Sequence, residues 1–254
     1  MLQAERLEKI YELVKQEKYC SITELAEKFD ISNATARRDL KMLEDEKKIK
    51  STRGGAMMEN HGTSQEPPYS EKADINRAEK TRLAKSACAM MNKGETILLD
   101  SGSTLLEVAK QIKQMEGITV ATNDVLVACT LAENTNIFST MIGGGIRKNH
   151  YSTSGLFAQE TIKNINADKA FIGIDAFDPV KGFMITNMEE VVIKRLMMEA
   201  AKEVIVICDH SKCENVAFIR LSGIEAVDKM ITGKEIGEYM YKTLVDAGLE
   251  VELV

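Results

Sequence analysis

The sequence predicts an α/β chain in two parts: a small winged helix-turn-helix domain, then a Rossmann-like, mostly parallel α/β domain. Three observations predict it. Three short amphipathic helical patterns are followed by a Gly-Gly turn at 54–55. From residue 96 onward, near-continuous apolar runs alternate with helical patterns, as strands covered on both faces do. Several of those runs finish on polar residues, and open α/β sheets bind ligands outside the carboxyl ends of their strands. The 254 residues suffice for one small and one medium domain. The expected boundaries are 1–57 for the first domain, 58–70 for a linker and 71–254 for the second domain.

In the first domain, Leu7, Ile10, Tyr11 and Val14 follow the i, i+3, i+4, i+7 pattern of a helix, and Ile22, Leu25, Ala26 and Phe29 repeat it. Ser21 with Glu24 forms a capping box at the second start. After a turn at Asp30-Ile31, Ser32 caps a third helix whose buried stripe is Ala36, Leu40 and Leu43. Asn33, Arg37, Arg38 and Lys41 fall off that stripe. Ile49 opens an extended segment, and Arg53-Gly54-Gly55 turns the wing. The start of the second motif helix faces base edges in such domains, while Arg and Lys hold phosphates. Expected DNA contacts are therefore Ser32, Asn33, Thr35, Arg37, Arg38 and Lys41, with Arg53 and Gly54 of the wing. The competing account is a three-helix protein-interaction module with a solvated charged face.

The net charge of −6 argues against nucleic acid only until the chain is divided. Residues 1–57 carry 12 Lys+Arg against 11 Asp+Glu, and residues 33–53 carry 7 against 4. Local charge governs phosphate contact within a Debye length of about 8–10 Å. Hydrophobic residues make up 44% of the chain but aromatics only 5%, with no Trp, so aliphatic and Met side chains must fill the core. The start, MLQAERLEKIYELVK, lacks the apolar stretch of a signal peptide. No apolar run approaches the roughly 18 residues of a membrane span. The five cysteines (Cys20, Cys88, Cys129, Cys208, Cys213) are scattered, which fits a reducing compartment, so a cytoplasmic protein without a membrane partner is expected. The three histidines are far apart in sequence, and no metal site is expected.

The linker contains two of the three prolines and no helical period. Beyond it, the apolar runs are TILLD (96–100), ITVAT (118–122), FSTMI (138–142), KAFIGID (169–175) and EVIVICD (203–209). Three end on Asp100, Asp175 and Asp209, a fourth on Thr122-Asn123 and a fifth on Gly143-Gly144-Gly145. Five polar endings at one edge imply one common site. The loop Asp100-Ser101-Gly102-Ser103-Thr104 leads into a helix, where hydroxyls and free N–H groups suit an oxyanion; taken alone, it is equally a helix cap. It is neither a Walker A sequence nor a GxGxxG fingerprint, so no nucleotide cofactor is expected. Lys194, four residues after Glu190, either makes a surface ion pair or enters the site. Lys212, beside Asp209, offers a second cation. Carboxylates suit sugar hydroxyls, whereas Lys and helix N-termini suit phosphate. The set describes a phosphorylated sugar or polyol.

TARRDLKMLEDEKKI…RGGA resembles the signature of the DeoR family of bacterial transcriptional regulators, with Ala36 where the family generally has Ile. LDSGSTLLEVA, TND, IGGG, FIGIDAFDPVKGF, TNMEEVVIK and DHSK resemble the successive motifs of the DeoR-type sensor domain, which is similar in fold to ribose-5-phosphate isomerase. Cys213 and Glu214 stand where the family often has Phe and Gly. The resemblance implies a phosphosugar effector held by Asp100, Gly102, Ser103, Thr104, Thr122, Asn123, Gly143, Gly144, Asp175, Lys194, Asp209 and Lys212; Ser101 joins them from the same loop. It implies a repressor of a sugar or polyol catabolic operon, bound to double-stranded operator DNA as a homodimer or homotetramer, with no catalytic residue. The rival enzyme reading, a sugar-phosphate isomerase carrying a DNA-binding head, would use Asp100, Asp175 and Lys194 as acid–base groups, but fold similarity does not establish activity.

Overall fold

A computed structural model of the chain describes residues 3–17, 19–46, 48–52, 54–58, 63–64, 66–213 and 215–254. It divides into two compact units, Met1–Gly62 and Thr63–Val254.

The first unit comprises α1 (Gln3–Glu17), β1 (Tyr19–Ser21), α2 (Ile22–Phe29), α3 (Asn33–Asp45), β2 (Ile49–Ser51) and β3 (Gly55–Met58). The helix starts are set by side-chain oxygens accepting otherwise orphaned N–H groups. Glu24 N–H donates to Ser21 Oγ at 3.1 Å while Ser21 N–H donates to the Glu24 carboxylate at 2.8 Å. Thr35 N–H donates to Ser32 Oγ at 3.1 Å, opening α3. Between them Asp30 takes the left-handed conformation (φ 51°), and Ile31 N–H closes back on Ala26 O at 3.0 Å. Ile10, Val14, Leu25, Ala36, Leu40 and Leu43 form the shared core. The strands make an antiparallel sheet in the order β1-β3-β2. Gly55 is required there, because a β-carbon would lie 2.1 Å from Cys20 O across the β1–β3 pair.

The second unit opens with α4 (Tyr69–Asp74) and α5 (Arg77–Ala89), followed by β4 (Thr96–Leu99), α6 (Ser103–Ile112), β5 (Thr119–Thr122), α7 (Val125–Leu131) and β6 (Phe138–Met141). A short hairpin, β7 (Gly145–Ile146) and β8 (Thr153–Ser154), precedes α8 (Leu156–Lys163) and β9 (Ala167–Ile172). Then come β10 (Ala176–Asp178), β11 (Gly182–Ile185), α9 (Met188–Glu199), β12 (Ala201–Ile207), β13 (Ile219–Ser222), β14 (Lys229–Thr232), α10 (Gly237–Asp246) and β15 (Glu250–Leu253). Seven strands form one sheet, β15-β14-β12-β9-β4-β5-β6, and every pair in it is parallel. Apolar layers cover both faces: Phe177, Phe183, Met197 and Leu244 belong to one, Leu83, Leu105, Val108 and Leu131 to the other. This is why the inner strands read as near-continuous apolar runs, while the edge strands β6 and β15 are partly exposed. A small antiparallel sheet, β10-β11-β13, flanks the main one.

The five expected runs correspond to β4, β5, β6, β9 and β12, while β14 and β15 extend the sheet beyond them. The chain order reverses between β4 and β9, the switch point of a doubly wound sheet, where folds of this kind bind ligands in a crevice outside the carboxyl ends of the strands. The end of the stretch read as a linker is built into this unit. Pro67-Pro68 carries the chain into α4, and Tyr69 is buried, edge-on to the Tyr151 ring at 5.5 Å.

Candidate functional site

On the first unit, α3 presents Asn33, Arg37, Arg38 and Lys41 to solvent. Among the described residues neither Arg37 nor Arg38 is ion-paired, whereas Lys41 lies 3.3 Å from Glu44 and 3.1 Å from Asp45. Ser32 and Thr35 hydroxyls are 2.9 Å apart and tied up in the cap. Gly54 is exposed, and its carbonyl accepts from Ile22 N–H at 2.9 Å; Arg53 lies outside the described residues. The inner side of α3 is held by a pair that sequence reasoning missed. Arg6 of α1 donates through Nε (2.7 Å) and Nη2 (3.1 Å) to both oxygens of Asp39, which is 1% exposed. A charge inside an otherwise amphipathic pattern shows no sign that it is buried until the opposing helix is in place.

In the second unit the strand ends converge as the alternation suggested. Asp100, fully buried after β4, accepts from Gly173 N–H at 2.9 Å beyond β9 and from the buried Lys194 ammonium of α9. Lys194 thus enters the crevice instead of pairing with Glu190 on a surface. Burial pulls the Lys194 pKa down, but Asp100 and Glu190 outweigh it and hold the amine protonated. Asp175 accepts from Thr186 N–H at 2.9 Å and from Lys72 Nζ at 3.3 Å. Burial pushes its carboxyl up, yet Lys72, Lys212 and Lys194 bring it well below the carboxylate range. These four charged groups therefore share one field. Asp209, 2% exposed, caps the turn His210–Lys212 and accepts from Asn76 Nδ2 at 2.8 Å.

The DSGST loop is partly self-satisfied. Gly102 (φ 119°) donates its N–H to Asp124 Oδ2 at 3.0 Å, so that donor is not free for an anion. No atom lies within 4 Å of a β-carbon placed on Gly102, so the space beside it is open. Ser101 and Thr104 are buried, and Ser103 Oγ receives a hydrogen bond from Lys80 Nζ at 3.1 Å. Thr122 Oγ1 accepts from Asp124 N–H at 3.1 Å, while Asn123 Oδ1 is buried with no partner. Gly143 has open space beside it. Gly144 (φ 152°) lets the chain pass Ser154, whose carbonyl would be 2.4 Å from a β-carbon there. Glu214, one of the two departures from the family pattern, lies outside the described residues; Cys213 packs against the core.

Four further charged residues enter this neighbourhood unforeseen. Lys80 is 3% exposed, and burial lowers its pKa to about 8 despite Asp209 nearby. Arg147 binds the Glu190 carboxylate and, at 2.8 Å, Glu66. Lys72 joins Glu66 (2.8 Å) to Asp175. Lysines in helical patterns and a glutamate beside prolines carry no sequence signal of such convergence. Glu79, Asp209 and His210 also bring one ligand-type atom each within 4.8 Å. The contacts among them are hydrogen bonds: Glu79 Oε1 accepts from His210 N–H at 2.8 Å and Glu79 Oε2 lies 2.7 Å from His210 Nδ1, fastening the Asp209 turn to α5.

The chain matches the DeoR-like helix-turn-helix domain over residues 6–61 and the DeoR C terminal sensor domain over residues 75–234. It is 31% identical over 256 residues to the HTH-type transcriptional regulator GolR of Listeria innocua, covering 100% of this chain and 99% of that protein. It is 35% identical over 231 residues to the transcriptional repressor AccR of Agrobacterium fabrum, covering 90% and 88%. Among solved structures, ribose 5-phosphate isomerase A from Methanocaldococcus jannaschii aligns with 54% of this chain and 55% of its own, at a TM-score of 0.41 and 17% identity. No helix among the described residues is long and apolar enough to cross a membrane. With a helix-turn-helix head and a sensor domain both matched, and with full-length relatives that are regulators and not enzymes, this chain belongs to the DeoR family of DNA-binding transcriptional regulators.

Proposed function

We propose that the chain represses a sugar or polyol catabolic operon, and that a phosphorylated sugar or polyol at the carboxyl ends of the sensor strands controls its hold on operator DNA. The observation that carries this is the crevice at the β4–β9 reversal, where Asp100 and Asp175 stand with Lys194, Lys212 and the unforeseen Lys80. Ionised carboxylates accept hydrogen bonds from ligand hydroxyls. The first-turn N–H groups of α6, with Ser103, Thr104 and Lys80, suit the phosphate. Ser101, Gly102, Thr122, Asn123, Gly143, Gly144 and Asp209 complete the proposed lining. Because Asp100 takes up the charge of Lys194, the role of Lys194 is to hold the Asp100 carboxylate in place; Lys80 and Lys212 are left to face the anion.

On the first unit, Asn33, Arg37, Arg38 and Lys41 supply the proposed contacts to DNA, with Ser32, Thr35, Arg53 and Gly54 at its margins. The effector changes DNA binding only through a difference in its affinity for the two states of the protein. The test is a titration of the protein bound to its own upstream DNA with a panel of sugar phosphates, each beside its unphosphorylated parent. A change in DNA retention with a phosphorylated member but not its parent is expected. Equal responses to both would remove the phosphate from the proposal, and DNA that is never retained at modest salt would remove the operator.

A further inference from the structure

We propose that the segment from Glu66 to Asp74 is an internal occupant of the sensor crevice, with the Glu66 carboxylate standing where an anionic group of the effector binds, and that effector binding expels it. This rests on the phosphosugar-controlled reading above and names the part of the chain that moves. The Glu66 side chain, 9% exposed, sits among three cationic or cation-forming groups. Its Oε1 meets Lys72 Nζ at 2.8 Å and His150 Nδ1 at 3.2 Å, and its Oε2 accepts from Arg147 Nη2 at 2.8 Å. Arg147 and His150 belong to the connection between β7 and β8, not to the segment itself. A fork-shaped guanidinium with a second donor beside it recognises carboxylate and phosphate oxygens alike.

The rest of the segment fills other places of the same crevice. The Lys72 ammonium donates to Asp175, and the Lys72 carbonyl accepts from Lys80 Nζ and, at 3.3 Å, from Ser103 Oγ. The segment thus offers an anion to Arg147, donors to Asp175 and an acceptor to Lys80 and Ser103. The phosphate oxygens of a phosphosugar supply both the anion and the acceptors, and its hydroxyls supply the donors. An independent observation marks the seat as imperfect. Tyr69 Oη on the segment and Asn123 Oδ1 at the end of β5 are both buried without a hydrogen-bond partner. Buried polar atoms are seldom left so. Expulsion would give the tyrosine water and the asparagine a ligand hydroxyl. Residues 66–74 follow the junction of the two units directly, so their release lengthens the tether to the DNA-binding head.

The test is amide hydrogen exchange on the full chain, with and without saturating inorganic phosphate, together with calorimetric phosphate binding to wild type and to Glu66→Gln. Phosphate should raise exchange across 66–74 while protecting 100–104 and 143–151. Glu66→Gln should raise exchange across 66–74 with no phosphate present and bind phosphate about fivefold or more tightly, because the competing carboxylate no longer reduces the open fraction. Glu66→Asp, which keeps the charge, should lie between the two. The wild-type comparison stands even if a variant fails to fold. If phosphate protects 100–104 but leaves 66–74 unchanged, or if Glu66→Gln binds no more tightly, the internal occupant is overturned and the phosphate cradle survives. If 66–74 is released while protection is confined to 143–151, the cradle at 100–104 is overturned and the occupant survives. Protection nowhere overturns both.

Discussion

Lys80 is the residue whose environment makes the sharpest demand on the effector. Burial lowers its pKa from an ordinary 10.5 to about 8; Asp209 and Glu79 oppose that change, while Lys212 and Lys72 reinforce it. A phosphate is held by the protonated amine, so affinity should be level up to about pH 8. Above that, the free protein gives up the proton that the complex keeps, and affinity should fall by up to about tenfold per pH unit until the pKa of the bound state is reached. Calorimetry of the sugar phosphate that alters DNA retention, from neutral to alkaline pH, measures this. Lys80→Arg should abolish the bend, because a guanidinium does not titrate there. A wild-type profile that stays level well above pH 8 would place Lys80 outside the ligand's reach. At the other end of the chain, Arg37 and Arg38 are exposed without ion pairs among the described residues. If Arg37 holds a phosphate, Arg37→Ala should weaken binding to all DNA sequences alike. It should also lower the slope of log affinity against log salt by about 0.9. If it reads a base, the slope should hold and discrimination at one position should be lost instead.

The recognition helix α3 is aimed by α1, and the Arg6–Asp39 pair is the polar part of that contact. Asp39 is 1% exposed, so Asp39→Ala strands the Arg6 guanidinium and opens a small void. Such a change should destabilise the first unit, read as a lower urea midpoint. DNA affinity should fall with it while effector binding by the second unit is retained; a loss of both would mean that the units do not fold independently. The helices and caps around this pair were legible because they are local: Ser21, Glu24 and Ser32 act within three residues of themselves. Asp39 was not, since its partner lies 33 positions away. The same division runs through the second unit. Near-continuous apolar runs announced β4, β5, β6, β9 and β12, and a parallel sheet brings their ends to one edge, which made Asp100 and Asp175 visible as neighbours. The strands β14 and β15 passed unnoticed because β14 has only Met230-Ile231 as an apolar run, flanked by Lys229 and Thr232, and β15 alternates charge with apolar residues at the sheet's edge. Glu66 was hidden by its setting beside two prolines, with Arg147 81 positions away.

At the scale of the whole molecule, one helix carries both crevice residues and an exposed apolar face. Glu190 and Lys194, four residues apart on α9, face the crevice and are buried. Met188 and Val192, also four apart, point the other way and are 64% and 43% exposed. Beside them, Leu156 and Phe157 on the first turn of α8 are 68% and 79% exposed. Ser154 Oγ donates to the Glu189 carboxylate at 3.3 Å and holds the two helix starts together. Large apolar side chains gathered on a surface are characteristic of association sites, and a helix-turn-helix protein reads two half-sites most simply as a two-fold dimer. We therefore expect a second copy of the chain to cover this face. Phe157→Asp should then reduce the particle mass in light scattering from an oligomer toward a single chain. Losing the second head should weaken binding to a two-half-site operator by about a hundredfold or more, while leaving binding to one isolated half-site unchanged. Effector binding should persist, because Phe157 lies outside the crevice. An oligomer that survives Phe157→Asp would transfer assembly to another surface. A monomer that still grips the full operator as tightly as wild type would instead mean that one head suffices, and that the effector must act on α3 within a single chain.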